Sequence, residues 1–165
     1  MPTIDTYRVI LNFISSQQEE LILNNLRKDL VNITYGKGNG KRTGIFRFGL
    51  KKHHPDRLVG EIIPDYLSLD IGIPYNSVTI NKYEAGDIID WHIDKPNTGE
   101  TISVLSLLSD ADIFFRNKKY KSSIIEIPLP RCSLIKFSNE IRYEWEHYLQ
   151  AADKRWSIVY RNIKG

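Results

Sequence analysis

The spacing of apolar residues along the chain changes near residue 76. Before it, Leu23, Leu26 and Leu30 recur at three- and four-residue steps, which predicts a helix over 15–31. Ser16 with Glu19 fits a capping box at its start. Residues 36–57 are rich in Gly and basic side chains, with Phe46 and Phe48 interleaved, and read as loops around one short hairpin. A second, short helix is expected after Pro64, because proline suits a first helical turn, with Tyr66, Leu67 and Leu69 partly buried.

Beyond residue 76 the chain holds short runs of β-branched and aromatic residues: SVTINKY, TISVLSLL, DIFFRN, SIIEIP, SLIKFS and RWSIVYRNI. Ala85-Gly86-Asp87, Pro96-Asn97-Thr98-Gly99 and Pro128-Leu129-Pro130 punctuate them as turns. Several short strands at this spacing predict an all-β sandwich or barrel. The expected fold class is therefore mainly β, with helices from the N-terminal half. In the last run, Arg155, Ser157, Val159 and Arg161 share one face, and Trp156, Ile158 and Tyr160 the other. The second face is apolar or aromatic and should be buried. If the first also looks inward, its two guanidiniums need anionic partners, because an unpaired buried charge is very costly. A dicarboxylate is one ligand that could satisfy both ends; the alternative is two surface arginines on an edge strand.

The length of 165 residues fits one domain, spanning 1–165. No run of about 20 apolar residues is present to span a membrane, and the N-terminal stretch does not read as a signal peptide. A single cysteine, Cys132, cannot form an internal disulfide, which fits an intracellular, reducing compartment. The net charge is +3, but seven Lys or Arg fall between Lys37 and Arg57 against one acid, Asp56. Such a basic segment suits an anionic partner such as nucleic acid, or is a solvated loop that keeps the chain soluble.

Four histidines are present: His53, His54, His92 and His147. His92 and Asp94 form a His-x-Asp pair, and on a strand residues two apart point to the same face. An imidazole and a carboxylate could thus serve one ion, with His147 the best candidate for a third ligand. Two histidines and one carboxylate on one side of a metal leave positions open, the arrangement of non-haem Fe(II) oxygenases.

Taken in order, Asn81-Lys82-Tyr83, His92-x-Asp94, His147 and Arg155-x5-Arg161 resemble the AlkB family of Fe(II)/2-oxoglutarate dioxygenases. Leu129-Pro130-Arg131-Cys132-Ser133-Leu134 and Arg142-Tyr143-Glu144-Trp145-Glu146-His147 are similar to its eukaryotic tRNA-modifying branch. The resemblance covers roughly half the chain. It implies a double-stranded β-helix (jelly roll) over 76–165, preceded by helices and a substrate lid over 1–75. It implies Fe(II) on His92, Asp94 and His147, and 2-oxoglutarate as cosubstrate with O2. Arg155 and Tyr83 would meet the far carboxylate of 2-oxoglutarate, Arg161 and Asn81 the carboxylate beside its keto group, and Ser157 stands where the family often has Asn.

The implied reaction hydroxylates a C–H bond, and on an N-methyl group the product loses formaldehyde. The lid of the family grips nucleotides. Here that stretch offers Lys41, Arg42, Phe46, Arg47, Phe48, Lys51 and Lys52, with basic groups for phosphates and an aromatic to stack on an extruded base. Phe46 and Phe48 could equally be strand residues packing on the core. Bacterial repair members carry an acidic residue two places after the metal Asp. Here Pro96 stands there, and Glu100 is a candidate substitute. The expected substrate is a DNA or RNA base, met by a monomer. A protein or small-molecule hydroxylase using the same iron chemistry, and a non-catalytic binding module, are the alternatives.

Overall fold

The computed structural model describes residues 6–30, 42–49 and 62–164. Among the described residues, ten strands form two antiparallel sheets. Six belong to the larger one: β1 (Tyr7–Ile10), β2 (Gly44–Gly49), β3 (Ser77–Tyr83), β5 (Thr101–Leu107), β8 (Leu134–Ser138) and β10 (Arg155–Arg161). Their spatial order is β1-β8-β5-β10-β3-β2. The smaller sheet has the order β4-β9-β6-β7, from β4 (Ile88–His92), β6 (Ala111–Asn117), β7 (Ile124–Leu129) and β9 (Trp145–Gln150). This is the jelly-roll arrangement. All six predicted strand runs are present.

Helix α1 (Ser16–Asp29) covers the outer face of the large sheet. Its apolar stripe, Ile22, Leu23, Leu26 and Leu30, packs with Phe48, Val78, Ile80, Trp156, Ile158 and Tyr160. The capping box lies one residue earlier than the sequence suggested. Ser15 caps the backbone of Gln18, and the Gln18 side chain returns the bond. Glu19 is instead buried, because it is needed as an acceptor elsewhere. It takes hydrogen bonds from the Leu108 amide at 2.9 Å and Arg131 Nε at 2.6 Å. The element after Pro64 is a single 3-10 turn, Asp65–Leu67, with Leu67 fully buried and Tyr66 and Leu69 half-buried.

Of the stretch 36–57, where a short hairpin is expected, only 42–49 is described, and it holds β2; the rest of that hairpin lies outside the described residues. This strand pairs with β3, so that Phe46 lies opposite Ile80 and Arg47 opposite Thr79. Alternation then turns Phe46 and Phe48 toward α1 and the outer core, their rings 4.9 Å apart. Neither is available to stack on a base in this arrangement, while Arg47 faces the opposite way. Lys41, Lys51, Lys52, His53 and His54 lie outside the described residues.

The second core lies between the sheets, where Phe115, Phe137, Trp145, Leu149 and Val159 meet. Strand β10 is central and buried along its whole length, not an edge. Its two faces part as alternation requires: Trp156, Ile158 and Tyr160 enter the outer core, and Arg155, Ser157, Val159 and Arg161 line a cavity between the sheets. No helix among the described residues is long and apolar enough to cross a membrane.

Candidate metal centre and cosubstrate pocket

The cavity has a volume of about 250 Å³. At one end, His92, Asp94 and His147 offer ligand atoms that all lie within 4.8 Å of one another. His92 and His147 are register partners across β4 and β9, with ring centroids 4.1 Å apart. A bulge makes this possible. Ile89 pairs with Leu149 and His92 with His147, so β4 carries one more residue than β9 over that interval. Simple alternation would have put Trp91 on the face of Ile89. With the extra residue His92 turns into the cavity, and Trp91 stacks on Tyr148 at 5.2 Å, with Arg116 4.3 Å over its ring.

Asp94 lies two residues past the end of β4, so strand geometry alone does not aim it. Its Oδ2 accepts a hydrogen bond from Arg161 Nε at 2.7 Å. Its Oδ1 faces His92 Nε2 at 3.2 Å and His147 Nε2 at 3.8 Å. Burial alone would raise the carboxyl's pKa. Arg161 above all, with both histidines, outweighs that and holds the group well below the ordinary carboxylate range. Arg142, itself buried, fixes the backbone around it. This side chain, from α2 (Asn139–Tyr143), donates to the carbonyls of Asp94 (3.0 Å), Lys95 (2.9 Å) and Gly99 (3.0 Å) and to Thr98 Oγ1 (3.2 Å). Gly99 has φ +106°, and an added Cβ would come within 3.1 Å of the Asn162 backbone.

Both imidazoles turn Nε2 toward Asp94. His92 Nδ1 lies 2.8 Å from the Asp90 carbonyl, which can only accept, so Nδ1 carries a proton and the ring's orientation is fixed. His147 is packed among the rings of Phe115 and Phe137 at 5.7 and 5.3 Å. Burial, with His92 next to it, pushes its pKa down to about 3. Six-coordinate donors about 2.1 Å from one ion stand roughly 3 Å apart when adjacent, close to the spacing around Asp94 Oδ1. Two imidazoles and one ionised carboxylate therefore fit a ferrous ion.

At the other end, Arg155 is almost fully buried. Its Nη2 donates to Ser106 Oγ at 3.0 Å and its guanidinium lies 4.9 Å over the Tyr83 ring. Nε and Nη1 have no partner among the described residues. A buried guanidinium with two free donors facing a cavity fits a carboxylate. Between the two ends, Asn81 Nδ2 donates to Ser157 Oγ at 3.3 Å, and Asn81 Oδ1 accepts from Arg42 Nη1 at 2.9 Å. Ser157 thus orients Asn81. Arg161 Nη1 donates to Thr79 Oγ1 at 3.1 Å.

The structure brings together all eight residues that the sequence motif assigned to iron and 2-oxoglutarate. Of the described residues offered for substrate, Arg42 and Arg47 reach the cavity, while Phe46 and Phe48 belong to the outer core. Glu100 is exposed and pairs with Lys164 at 3.5 Å, away from this cavity. Sequence reasoning missed the part of Arg142, because its partners are backbone carbonyls more than 40 positions away. It also missed Thr79 and the depth of Arg42. The inward parity of Thr79 with Asn81 and Tyr83 was the available signal.

Residues 51–162 match the family model of the 2OG-Fe(II) oxygenase superfamily. Among curated proteins, the chain is 34% identical over 99 residues to tRNA (carboxymethyluridine(34)-5-O)-methyltransferase alkbh8 of Xenopus tropicalis, covering 60% of this chain and 12% of that protein. It is 27% identical over 164 residues to the Mus musculus protein of that name, covering 84% of this chain and 23% of the other. The chain therefore spans under a quarter of the length of these relatives. Among solved structures, OsALKBH1 superposes with a TM-score of 0.73 at 13% identity, covering 95% of this chain and 98% of that one. A Pseudomonas putida prolyl-4-hydroxylase superposes at 0.64 and 10% identity, covering 97% and 94%. At such identities these two speak for the fold. With the family match and the donor set in agreement, the chain belongs to the 2OG-Fe(II) oxygenase superfamily, as a dioxygenase that uses Fe(II) and 2-oxoglutarate.

Proposed function

We propose that this dioxygenase oxidises a base of DNA or RNA, hydroxylating a C–H bond and so removing the carbon as formaldehyde where that carbon is an N-methyl group. The observation that carries this reading is the sign of the charge around the cavity. Arg42, Arg47 and Lys95 line it in addition to Arg155 and Arg161, and its described lining holds no carboxylate; Asp94 stands just behind it. An anionic substrate is favoured there. The similarity to proteins named as tRNA methyltransferases points the same way.

Bound Fe(II) and 2-oxoglutarate supply the oxidant, O2 being reduced as the keto acid is decarboxylated to succinate and CO2. The chain's own part is placement. His92, His147 and Asp94 would hold the metal, and Arg161 keeps the second carboxylate oxygen of Asp94 occupied. Arg155, backed by Tyr83 and Ser106, receives the far carboxylate of the cosubstrate. Arg161 and Asn81 serve the carboxylate beside the keto group, with Asn81 held by Ser157. Ile102, Ile113, Leu129 and Leu149 form apolar walls that exclude water from the reacting atoms.

The test is anaerobic Fe(II) and 2-oxoglutarate binding, followed by succinate and formaldehyde release against a panel of N-methylated DNA and RNA oligonucleotides. Release that rises with one class of oligonucleotide, and vanishes in His92→Ala, supports the reading. Turnover unmoved by any nucleic acid would move the substrate to a protein side chain or small molecule. A protein that binds neither iron nor cosubstrate would be a non-catalytic module.

A further inference from the structure

Glu19 is 1% exposed, although it stands in the first turn of a helix on the outside of the large sheet. A buried carboxylate persists only where it is paired and hydrogen-bonded. Arg131 supplies two donors, Nε at 2.6 Å and Nη2 at 2.5 Å, and the Leu108 amide a third at 2.9 Å. The Cys132 thiol is a further partner. Burial alone would raise the carboxyl's pKa; the bonds from Arg131, Leu108 and Cys132 outweigh it and hold the group below the ordinary carboxylate range.

These partners belong to two corners of the chain, one just after β5 and one just before β8. Each corner holds a residue other than glycine in the left-handed region, Leu108 at φ +76° and Cys132 at φ +68°. A side chain of that size resists such a backbone, so the conformation has to be held by its surroundings. Glu19 holds both corners at once, taking the Leu108 amide in one and the Arg131 guanidinium and Cys132 thiol in the other.

Ser106 lies between them. Its carbonyl accepts from the Cys132 amide at 2.8 Å, and its amide donates to the Ser133 carbonyl at 3.0 Å. Leu108 follows two residues later. The Ser106 hydroxyl points the other way, into the molecule, and accepts from Arg155 Nη2 at 3.0 Å. That bond sets the rotation of a guanidinium whose Nε and Nη1 have no partner among the described residues. A short chain of hydrogen bonds therefore runs from the outer helix through the sheet to the cavity.

We infer that Glu19 is a positioning residue for the cosubstrate: by clamping the corners on either side of Ser106 it aims the Ser106 hydroxyl at Arg155, and so sets the grip of the pocket on the far carboxylate of 2-oxoglutarate. The inference rests on the assignment of Arg155 to that carboxylate made above. Glu19 itself touches neither the cosubstrate nor the metal ligands. Helix α1 thus does more than cover the core, because its docking and the affinity for the cosubstrate depend on one carboxylate.

The test is calorimetry on the Fe(II)-loaded protein under argon, with 2-oxoglutarate and with 2-oxopentanoate, which carries a methyl in place of the far carboxylate. Glu19→Gln keeps the size of the side chain and removes its charge. It should raise the dissociation constant of 2-oxoglutarate about fivefold, the worth of one net hydrogen bond. Those of 2-oxopentanoate and Fe(II) should stay within about twofold, because neither ligand meets Arg155. Ser106→Ala should act alike, and the double variant should bind 2-oxoglutarate no more weakly than Ser106→Ala alone, since Glu19 acts through Ser106. If Glu19→Gln does not fold, Arg131→Gln, a change at a half-exposed side chain, loosens the same clamp and carries the comparison. The inference is overturned if the clamp variant lowers the unfolding midpoint yet binds both keto acids as the wild type does. It is equally overturned if both keto acids weaken together, or if the loss adds to that of Ser106→Ala. Arg155→Gln separates this from the assignment beneath it. Preference for 2-oxoglutarate that survives Arg155→Gln takes Arg155 off the far carboxylate and removes the inference with it. Preference lost in Arg155→Gln but intact in Glu19→Gln removes the inference alone.

Discussion

His147 gives the metal-free protein a characteristic response to acid. Its imidazole has a pKa of about 3 in the folded chain, against an ordinary value of 6.5, because it is buried beside His92. Between those values the unfolded chain carries a proton on this group and the folded chain does not. Stability therefore falls as pH falls from above 6.5, and this loss ends only below about 3. At pH 4.5 the unfolded state gains roughly two pH units' worth of protonation free energy, about 2.7 kcal/mol. That is a sizeable part of a typical folding stability. Urea unfolding with a chelator present, at pH 7.5 and 4.5, measures it. His147→Gln is the reference, since it stays neutral while every other acid still titrates. The gap in stability between wild type and variant should shift by 2–3 kcal/mol in the variant's favour on acidification. A gap that stays within 0.5 kcal/mol would refute the reasoning, and with it the neutral, buried state of this ligand. The same low pKa means that iron binding near neutral pH displaces no proton from His147.

Asp94→Ala should abolish iron binding, followed by anaerobic titration, and should also cost about 3–5 kcal/mol by leaving the Arg161 guanidinium buried without its carboxylate; an unaltered unfolding midpoint would contradict that pairing. Arg155→Gln should raise the dissociation constant of 2-oxoglutarate by tenfold or more, the worth of a charge-assisted hydrogen bond, while Fe(II) affinity holds. Phe48→Ala should destabilise the chain by about 3–5 kcal/mol without changing oligonucleotide affinity in the fraction that remains folded, because its ring lies in the outer core. A selective loss of oligonucleotide binding would return Phe48 to the substrate side. Arg142→Lys should lower both iron affinity and turnover without touching a ligand. It keeps the charge but cannot hold three carbonyls and a hydroxyl at once.

The sequence by itself determined the strand runs and which side chains share each face of β10. Alternation is a local property: once a segment is a strand, Arg155, Ser157 and Arg161 must share a side, as must Thr79, Asn81 and Tyr83. Only the tertiary structure decided the rest. The bulge in β4 that turns His92 inward depends on pairing with β9, more than 50 residues away in sequence. Asp94, past the strand's end, is aimed by Arg161 and Arg142, neither of which alternation could connect to it. Phe46 and Phe48 looked suited to grip a base because their segment is basic and Gly-rich. Pairing with β3 sends them to α1 and sends Arg47 to the cavity. The physical reason is common to all three. A strand's two faces are fixed by its own residues, but which face becomes the inside, and what fills it, is set by the register of a neighbour that the local sequence does not specify.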